Sequence, residues 1–138
     1  MIHNWEEHYR TGDPPWEDNR PNPPLVSLVA RHAQLSDVLL EVGCGLGHNA
    51  VALAKLGYRV IATDLSKTAV ARASNLAKEQ NVSLDCRVLD VLNGSLLKQP
   101  IDVVYEKGVL HTFFSATSRE GYINAVSDLL PEGGLWVS

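Results

Sequence analysis

Three glycines and an acid have the types and spacing that chemistry needs. Residues 39–47 read Leu-Leu-Glu-Val-Gly-Cys-Gly-Leu-Gly, an apolar strand that runs straight into a G-x-G-x-G turn. A chain that leaves a buried strand and enters a helix at once needs backbone angles closed to residues with a Cβ, and a ligand must be able to approach its backbone. Gly43, Gly45 and Gly47 meet both needs. The helix expected from Asn49 to Leu56 aims its free N–H groups and positive dipole end at the turn, which favours an anionic ligand group there. Gly57 then ends that helix as a C-cap. Asp64 closes the next strand, Tyr58 to Thr63, about twenty residues beyond the first glycine, where a carboxylate suits a bidentate hydrogen bond to ribose hydroxyls. Strand, turn, helix, strand and acid in that order read as a nucleoside-binding site. The competing reading is a glycine-rich turn that serves only as a tight connection.

Further places carry reactive residue types. Asp90 ends the expected third strand; in an open parallel sheet, ligands bind beyond the carboxyl ends of the strands, so Asp90 lies over the same crevice as Asp64. Its alternative is an aspartate that only caps its loop. The fourth strand is expected to end at Tyr105, which sends Glu106 and His111 into the loop above the sheet edge. An imidazole titrates near neutral pH and can take a proton from an acidic nucleophile. The alternative for His111 is a buried histidine hydrogen-bonded to backbone. Asp102, at the start of its strand, reads as structural. Trp5, Tyr9 and Trp16 crowd the first residues although only 7% of the chain is aromatic, a density that marks either core anchors or a lid over something flat or cationic. His3, His8 and His32 read as arm or solvent-facing residues.

The elements that must position these residues alternate between strand and helix patterns, the signature of a parallel sheet covered on both faces. Residues 1–24, ending Arg-Pro-Asn-Pro-Pro, are polar and rich in Pro and Trp; they form an irregular arm with one helical turn near Trp5 to Tyr9. Leu25, Leu28, Val29 and Ala33 recur at helical spacing just after a proline pair that suits a first turn. Ser66 caps a helix from Lys67 to about Gln80 with Ala69, Val70, Ala73, Leu76 and Ala77 as its inner stripe. Strand three is expected from Ser83 to Leu89 and strand four from Ile101 to Tyr105. A helix marked by Tyr122, Ile123, Val126, Leu129 and Leu130 leads to strand five at Leu135-Trp136-Val137.

Composition narrows the function classes. With 138 residues, 45% hydrophobic and 20% charged, the chain reads as one soluble domain. A net charge of -4 and the lack of any Lys/Arg-rich run argue against a nucleic-acid partner. No apolar run approaches the ~18 residues of a membrane span. The opening Met-Ile-His-Asn-Trp-Glu-Glu is no signal peptide, so a cytoplasmic protein without a membrane partner is expected. Cys44 and Cys86 lack metal-ligand spacing, and Cys44 with His48 is too little for zinc; both read as reduced and structural, with no metal.

Glu41-Val42-Gly43-Cys44-Gly45-Leu46-Gly47, followed by Asp64-Leu65-Ser66, closely resembles the first two motifs of class I S-adenosylmethionine-dependent methyltransferases. A dinucleotide fingerprint would instead place a glycine where this chain has His48, which disfavours NAD or another nucleotide on a doubly wound fold. The resemblance implies S-adenosyl-L-methionine as cofactor. It places the methionine portion at Glu41, Gly43, Gly45 and Gly47 and the ribose at Asp64 beside Leu65. The adenine amino group then falls to Asp90 and the ring to the Val91 backbone N–H. The Trp-x-x-x-Tyr, Gly and Pro-Trp spacing of the arm and the acid-basic-Gly-x-Leu-His stretch from Glu106 to His111 are similar to the thiopurine, thiol/halide and tellurite-resistance group, in which the arm covers the cofactor. That likeness implies Trp16 over the sulfonium or substrate, Glu106 facing the sulfonium or orienting a substrate, and His111 as proton acceptor. The implied enzyme methylates a small thiol, halide, metalloid or similar soft nucleophile, which needs alignment more than a strong base. A cofactor-binding module without turnover is the alternative.

Members of that class carry a sixth strand and an antiparallel seventh, whereas this sequence stops at Leu135-Trp136-Val137-Ser138. The expected fold is therefore a Rossmann-like α/β sheet, open and mostly parallel, with helices on both faces and truncated after strand five. Residues 1–24 form the arm and residues 25–138 the S-adenosylmethionine-binding domain. An exposed fifth strand predicts a homodimer that covers its edge.

Overall fold

Two adjacent leucines show how the sheet is built. In the computed structural model, which describes residues 4–138, Leu39 and Leu40 are both fully buried on β1 (Val38–Val42) yet belong to different cores. Side chains alternate along a strand, so a strand covered on both faces must be apolar at successive positions. Each such side chain contributes about 1.5–3 kcal/mol by burial. One core joins Leu39 to Val29 of α2 (Pro23–His32), Leu53 of α3 (His48–Lys55) and Ala73 of α4 (Lys67–Glu79). The other joins Leu40 to Tyr122 and Val126 of α5 (Ala116–Leu129).

All strand pairings are parallel. β2 (Arg59–Asp64) lies on one side of β1 with Leu40 opposite Ile61, and β4 (Val103–Glu106) lies on the other with Val42 opposite Glu106. β3 (Asp85–Val88) pairs outside β2 and β5 (Leu135–Val137) outside β4, giving the order β3-β2-β1-β4-β5. The direction of winding reverses at β1, so a crevice opens beyond the carboxyl ends of β1 and β4. The Rossmann-like α/β expectation is met. The third strand is shorter than expected at both ends, as suits an edge paired on one side only.

Ser115 caps α5 seven residues before the apolar pattern begins at Tyr122, accepting the Ser118 N–H, so that helix starts earlier than its hydrophobic stripe. Two short 3₁₀ turns, residues 91–96 and 110–112, follow the ends of β3 and β4. The arm contributes α1 (Trp5–Arg10), which lies against α4, where the Glu6 carboxylate accepts the Thr68 N–H at 2.8 Å. Those bonds to Thr68 hold the Glu6 carboxyl below its ordinary range. His3 lies outside the described residues, and His32 is exposed at the end of α2. Among the described residues no helix is long and apolar enough to cross a membrane.

Candidate functional site

The glycine turn leaves β1 in left-handed backbone, with φ of +68° at Gly43, +53° at Gly45 and +87° at Gly47. Close approach matters as much as the angle at two of them. A Cβ on Gly47 would stand 2.7 Å from the Ala73 Cβ, so this glycine seats α3 against α4. A Cβ on Gly45 would overlap the Glu17 carboxylate, so the bare backbone there is covered by the arm.

Asp64, at the tip of β2, reaches back to that turn. Its Oδ2 accepts the Gly45 N–H at 2.9 Å and its Oδ1 accepts the Ser66 N–H at 2.9 Å. Burial raises the Asp64 carboxyl above its ordinary range, while the bonds from Ser66 and Gly45 pull the other way. Each carboxylate oxygen has two acceptor positions, so the group retains capacity for ligand hydroxyls.

Glu41 is the more exposed problem energetically and the less exposed sterically. Only 2% of the residue is accessible, burial pushes its carboxyl well up, and Oε1 has no hydrogen-bond partner. The Tyr105 hydroxyl faces the same carboxyl but completes no hydrogen bond either. Unpartnered buried polar atoms are uncommon in folded proteins and call for a reason.

Around these acids lies a cavity of about 870 Å³, to which Trp16, Glu41, Gly43, Asp64, Leu65, Asp90 and Val91 all contribute. Residues from the arm, the glycine turn and the ends of β2 and β3 are thus brought together, as the sequence reading required. Asp90 does two things: its Oδ1 caps the 3₁₀ turn by accepting the Leu92 N–H at 3.0 Å, and it lines the cavity. Gly45 and Gly47 stand behind the wall, under the arm and under α4.

Trp16 sits on the cavity wall, 43% exposed, with its ring edge-on to Trp5 at 5.6 Å, His8 at 5.1 Å and Tyr9 at 6.3 Å. Its indole N–H donates to the Tyr9 hydroxyl at 3.1 Å, and that hydroxyl donates to Glu17 Oε1 at 2.8 Å. Burial raises the Tyr9 phenol, so it stays a protonated donor. His8 is an exposed residue of the arm, as expected, and is also a partner in this aromatic cluster and a cavity-lining residue.

The expected catalytic pair is placed elsewhere. β4 runs one residue further than expected because Glu106 pairs in register with Val42, and this turns Glu106 into the sheet, 1% exposed. Its carboxylate accepts the Val109 N–H at 2.7 Å and the Ser138 hydroxyl, and it does not line the cavity. What it does is hold the Lys107–Val109 turn so that the Val109 methyl lies over Gly43, where a Cβ would come within 2.5 Å. His111 is exposed on the 3₁₀ turn and also lies off the cavity, so neither the buried-histidine reading nor contact with a ligand there describes it. The imidazoles that do line the cavity are His8 and His48.

Glu17, with its hydrogen bond from the Leu46 N–H at 3.3 Å, was not singled out from sequence. No local signal exists for it, because the contact spans 29 residues and depends on where the arm crosses the turn.

Residues 39–134 match the family described as Methyltransferase domain. The chain belongs to this S-adenosylmethionine-dependent methyltransferase family. A probable thiol methyltransferase of Arabidopsis thaliana is 36% identical over 70 residues, 51% of this chain and 31% of that protein. A 2-heptyl-1-hydroxyquinolin-4(1H)-one methyltransferase of Mycobacteroides abscessus is 28% identical over 116 residues, 82% of this chain and 49% of that protein. A structure solved in work on the conversion of a disulfide bond into a thioacetal group during echinomycin biosynthesis superposes with a TM-score of 0.81 at 28% identity, covering 91% of this chain and 54% of that one. The chain thus spans about half the length, or less, of these relatives.

S-adenosylmethionine, the family's cofactor, fits the residues present. The orphaned Glu41 oxygen can accept from an ammonium, and the acceptor capacity left on Asp64 suits ribose hydroxyls. A cavity of about 870 Å³ lies within the range of small-molecule sites.

Proposed function

We propose that this chain binds S-adenosylmethionine in the cavity and transfers its methyl group to a small soft nucleophile, a thiol, halide, metalloid or similar acceptor. The observation that carries the reading is Glu41, a buried carboxylate lining the cavity with one oxygen left without a partner. A ligand donor removes that defect, and an ammonium does so while also neutralising the buried charge.

When bound, the cofactor supplies a methyl group on a positively charged sulfur. Glu41 takes the ammonium, Asp64 the ribose hydroxyls, and Asp90 with the Val91 N–H the adenine. Leu65 and Trp16 cover the ligand and exclude water. Glu106 acts through Val109, fixing the loop that faces Gly43, so it is a positioning residue in this reading. Alignment of the acceptor with the methyl group is the main demand of the reaction. Support for a soft acceptor comes from the arm and loop motifs and from the thiol methyltransferase relative, whose name gives its own substrate class. The same proposal places the protein in the cytoplasm as a pair of copies joined along the outer side of β5; sedimentation showing only monomer at high concentration would remove the pairing.

Calorimetry with S-adenosylmethionine, S-adenosylhomocysteine and NAD tests the reading. Both S-adenosyl compounds bind and NAD does not; Asp64→Ala weakens them by about 1–3 kcal/mol. Tight NAD binding without S-adenosyl binding would sink it. A methyl-release assay over thiols, halides, metalloids and phenols then tests turnover: cofactor binding with no acceptor methylated would leave a binding module.

A further inference from the structure

The arm carries a third carboxylate to the glycine turn. Two successive backbone N–H groups there each end on an acid from a different segment: Gly45 donates to Asp64 Oδ2 at 2.9 Å and Leu46 to Glu17 Oε1 at 3.3 Å. Glu41, two residues before the turn, lines the same cavity as these two acids and leaves Oε1 unpartnered while 2% exposed. The ion pairs formed among the described residues join Arg10 to Glu7, Arg72 to Asp13, Arg87 to Asp85 and Lys107 to Asp18, so of the five acids that line the cavity only Asp18 is paired with a cation; Glu17, Glu41, Asp64 and Asp90 are not, although Arg20 lines the same cavity. Mutual repulsion adds to burial in raising Glu41 and Asp64, and Glu17 contributes to both. Among the described residues, no group of three or more His, Cys, Asp or Glu is placed to hold a metal ion.

The geometry points to Glu17 as a charge-reading residue, which makes affinity depend on whether the sulfur of the bound ligand is cationic. This rests on the cofactor reading above and deepens it. In methyl transfer the S–CH₃ bond breaks with its electron pair left on sulfur, while a lone pair of the acceptor forms the new bond to carbon. The sulfur passes from sulfonium to neutral thioether, and a cavity whose acids outnumber its cations loses one positive charge. Glu17 is tied through the Tyr9 hydroxyl to the Trp16 indole, so that loss is felt by the arm that covers the cavity. Release of the product is thereby favoured over release of the cofactor.

The test is calorimetry of the full chain with S-adenosylmethionine and S-adenosylhomocysteine for the wild type, Glu17→Gln, Glu17→Asp and Tyr9→Phe. The readout is the ratio of the two affinities. Glu17→Gln keeps the shape and an amide oxygen for Tyr9 and Leu46, so a purely structural role would lower both affinities alike. The expected result is a fall of about tenfold in the preference for the sulfonium, the size of one screened charge–charge interaction, with partial recovery in Glu17→Asp. Tyr9→Phe keeps the charge and retains the ratio while weakening both ligands. A ratio within twofold of wild type in Glu17→Gln overturns the inference, as does a Tyr9→Phe ratio that falls as far. If neither ligand binds the wild type, the cofactor reading fails and this inference with it.

Discussion

The floor and the cover of the cavity are held by ties that differ in range along the chain and in exposure. In the floor, Asp64 is 8% exposed and its carboxylate is tied to backbone N–H groups, one of them only two residues away. In the cover, acids of the arm reach far along the chain: Glu6 to Thr68, Asp13 to Arg72 and Asp18 to Lys107. The Asp13–Arg72 pair is 45% and 37% exposed at its side chains, and the Asp18–Lys107 pair is more exposed still. A buried bond to backbone costs much to break, whereas an exposed ion pair contributes little. The cavity thus has a rigid base and a cover whose individual ties are weak, the distribution expected where a ligand must enter and leave.

The comparison breaks first at Gly47. Gly47→Val forces a branched side chain into φ +87° and against Ala73, so the floor should lose about 3 kcal/mol or more in urea unfolding. A loss under about 1 kcal/mol would mean that α3 and α4 are not in close contact there.

Glu41 sharpens it with the opposite sign. Glu41→Gln should raise the stability of the ligand-free protein by about 1–3 kcal/mol while weakening cofactor binding, because it removes a buried charge that has one oxygen without a partner. The sign with pH follows from the raised carboxyl. The folded state keeps the Glu41 proton to higher pH than the unfolded chain does, so its relative stability is fully present below the ordinary carboxylate range. It is lost as pH rises towards and through the folded value. The gain from Glu41→Gln should therefore be largest at neutral pH and vanish in acid, as thermal unfolding across pH can show; a gain independent of pH would assign it to something other than charge.

The smallest effect belongs to the cover. Asp13→Asn should cost no more than about 1 kcal/mol, and the cost should shrink further in high salt. Hydrogen exchange of residues 5–16 would report it as faster opening of the arm with the sheet unchanged. Protection lost across β1 and β2 as well would show that the arm is part of the base.

Much of the floor is legible in the sequence. A β1 apolar at successive positions, the glycine turn and the acid at the end of β2 obey rules that act over a few residues, and the alternation of strand and helix led to a parallel sheet. Glu106 shows where such reading fails. Moving the end of β4 by a single residue turns the side chain from loop to sheet, because direction alternates with every step along a strand. His111 was assigned by motif and is exposed away from the cavity. His8 meets Trp5 and Trp16 within the arm, whereas Glu17 acquires its contact with Leu46 only where the arm crosses the turn.

By itself, the sequence determined the kind of base this protein has. Glycines at 43, 45 and 47 and an acid at 64 follow from backbone angles and strand ends, which are local properties. Only the tertiary structure decided which charges meet. Glu17, Glu41 and Asp64 line one cavity because the arm folds over a turn that leaves room at Gly45, and no rule of short range brings a side chain across 29 residues to that place.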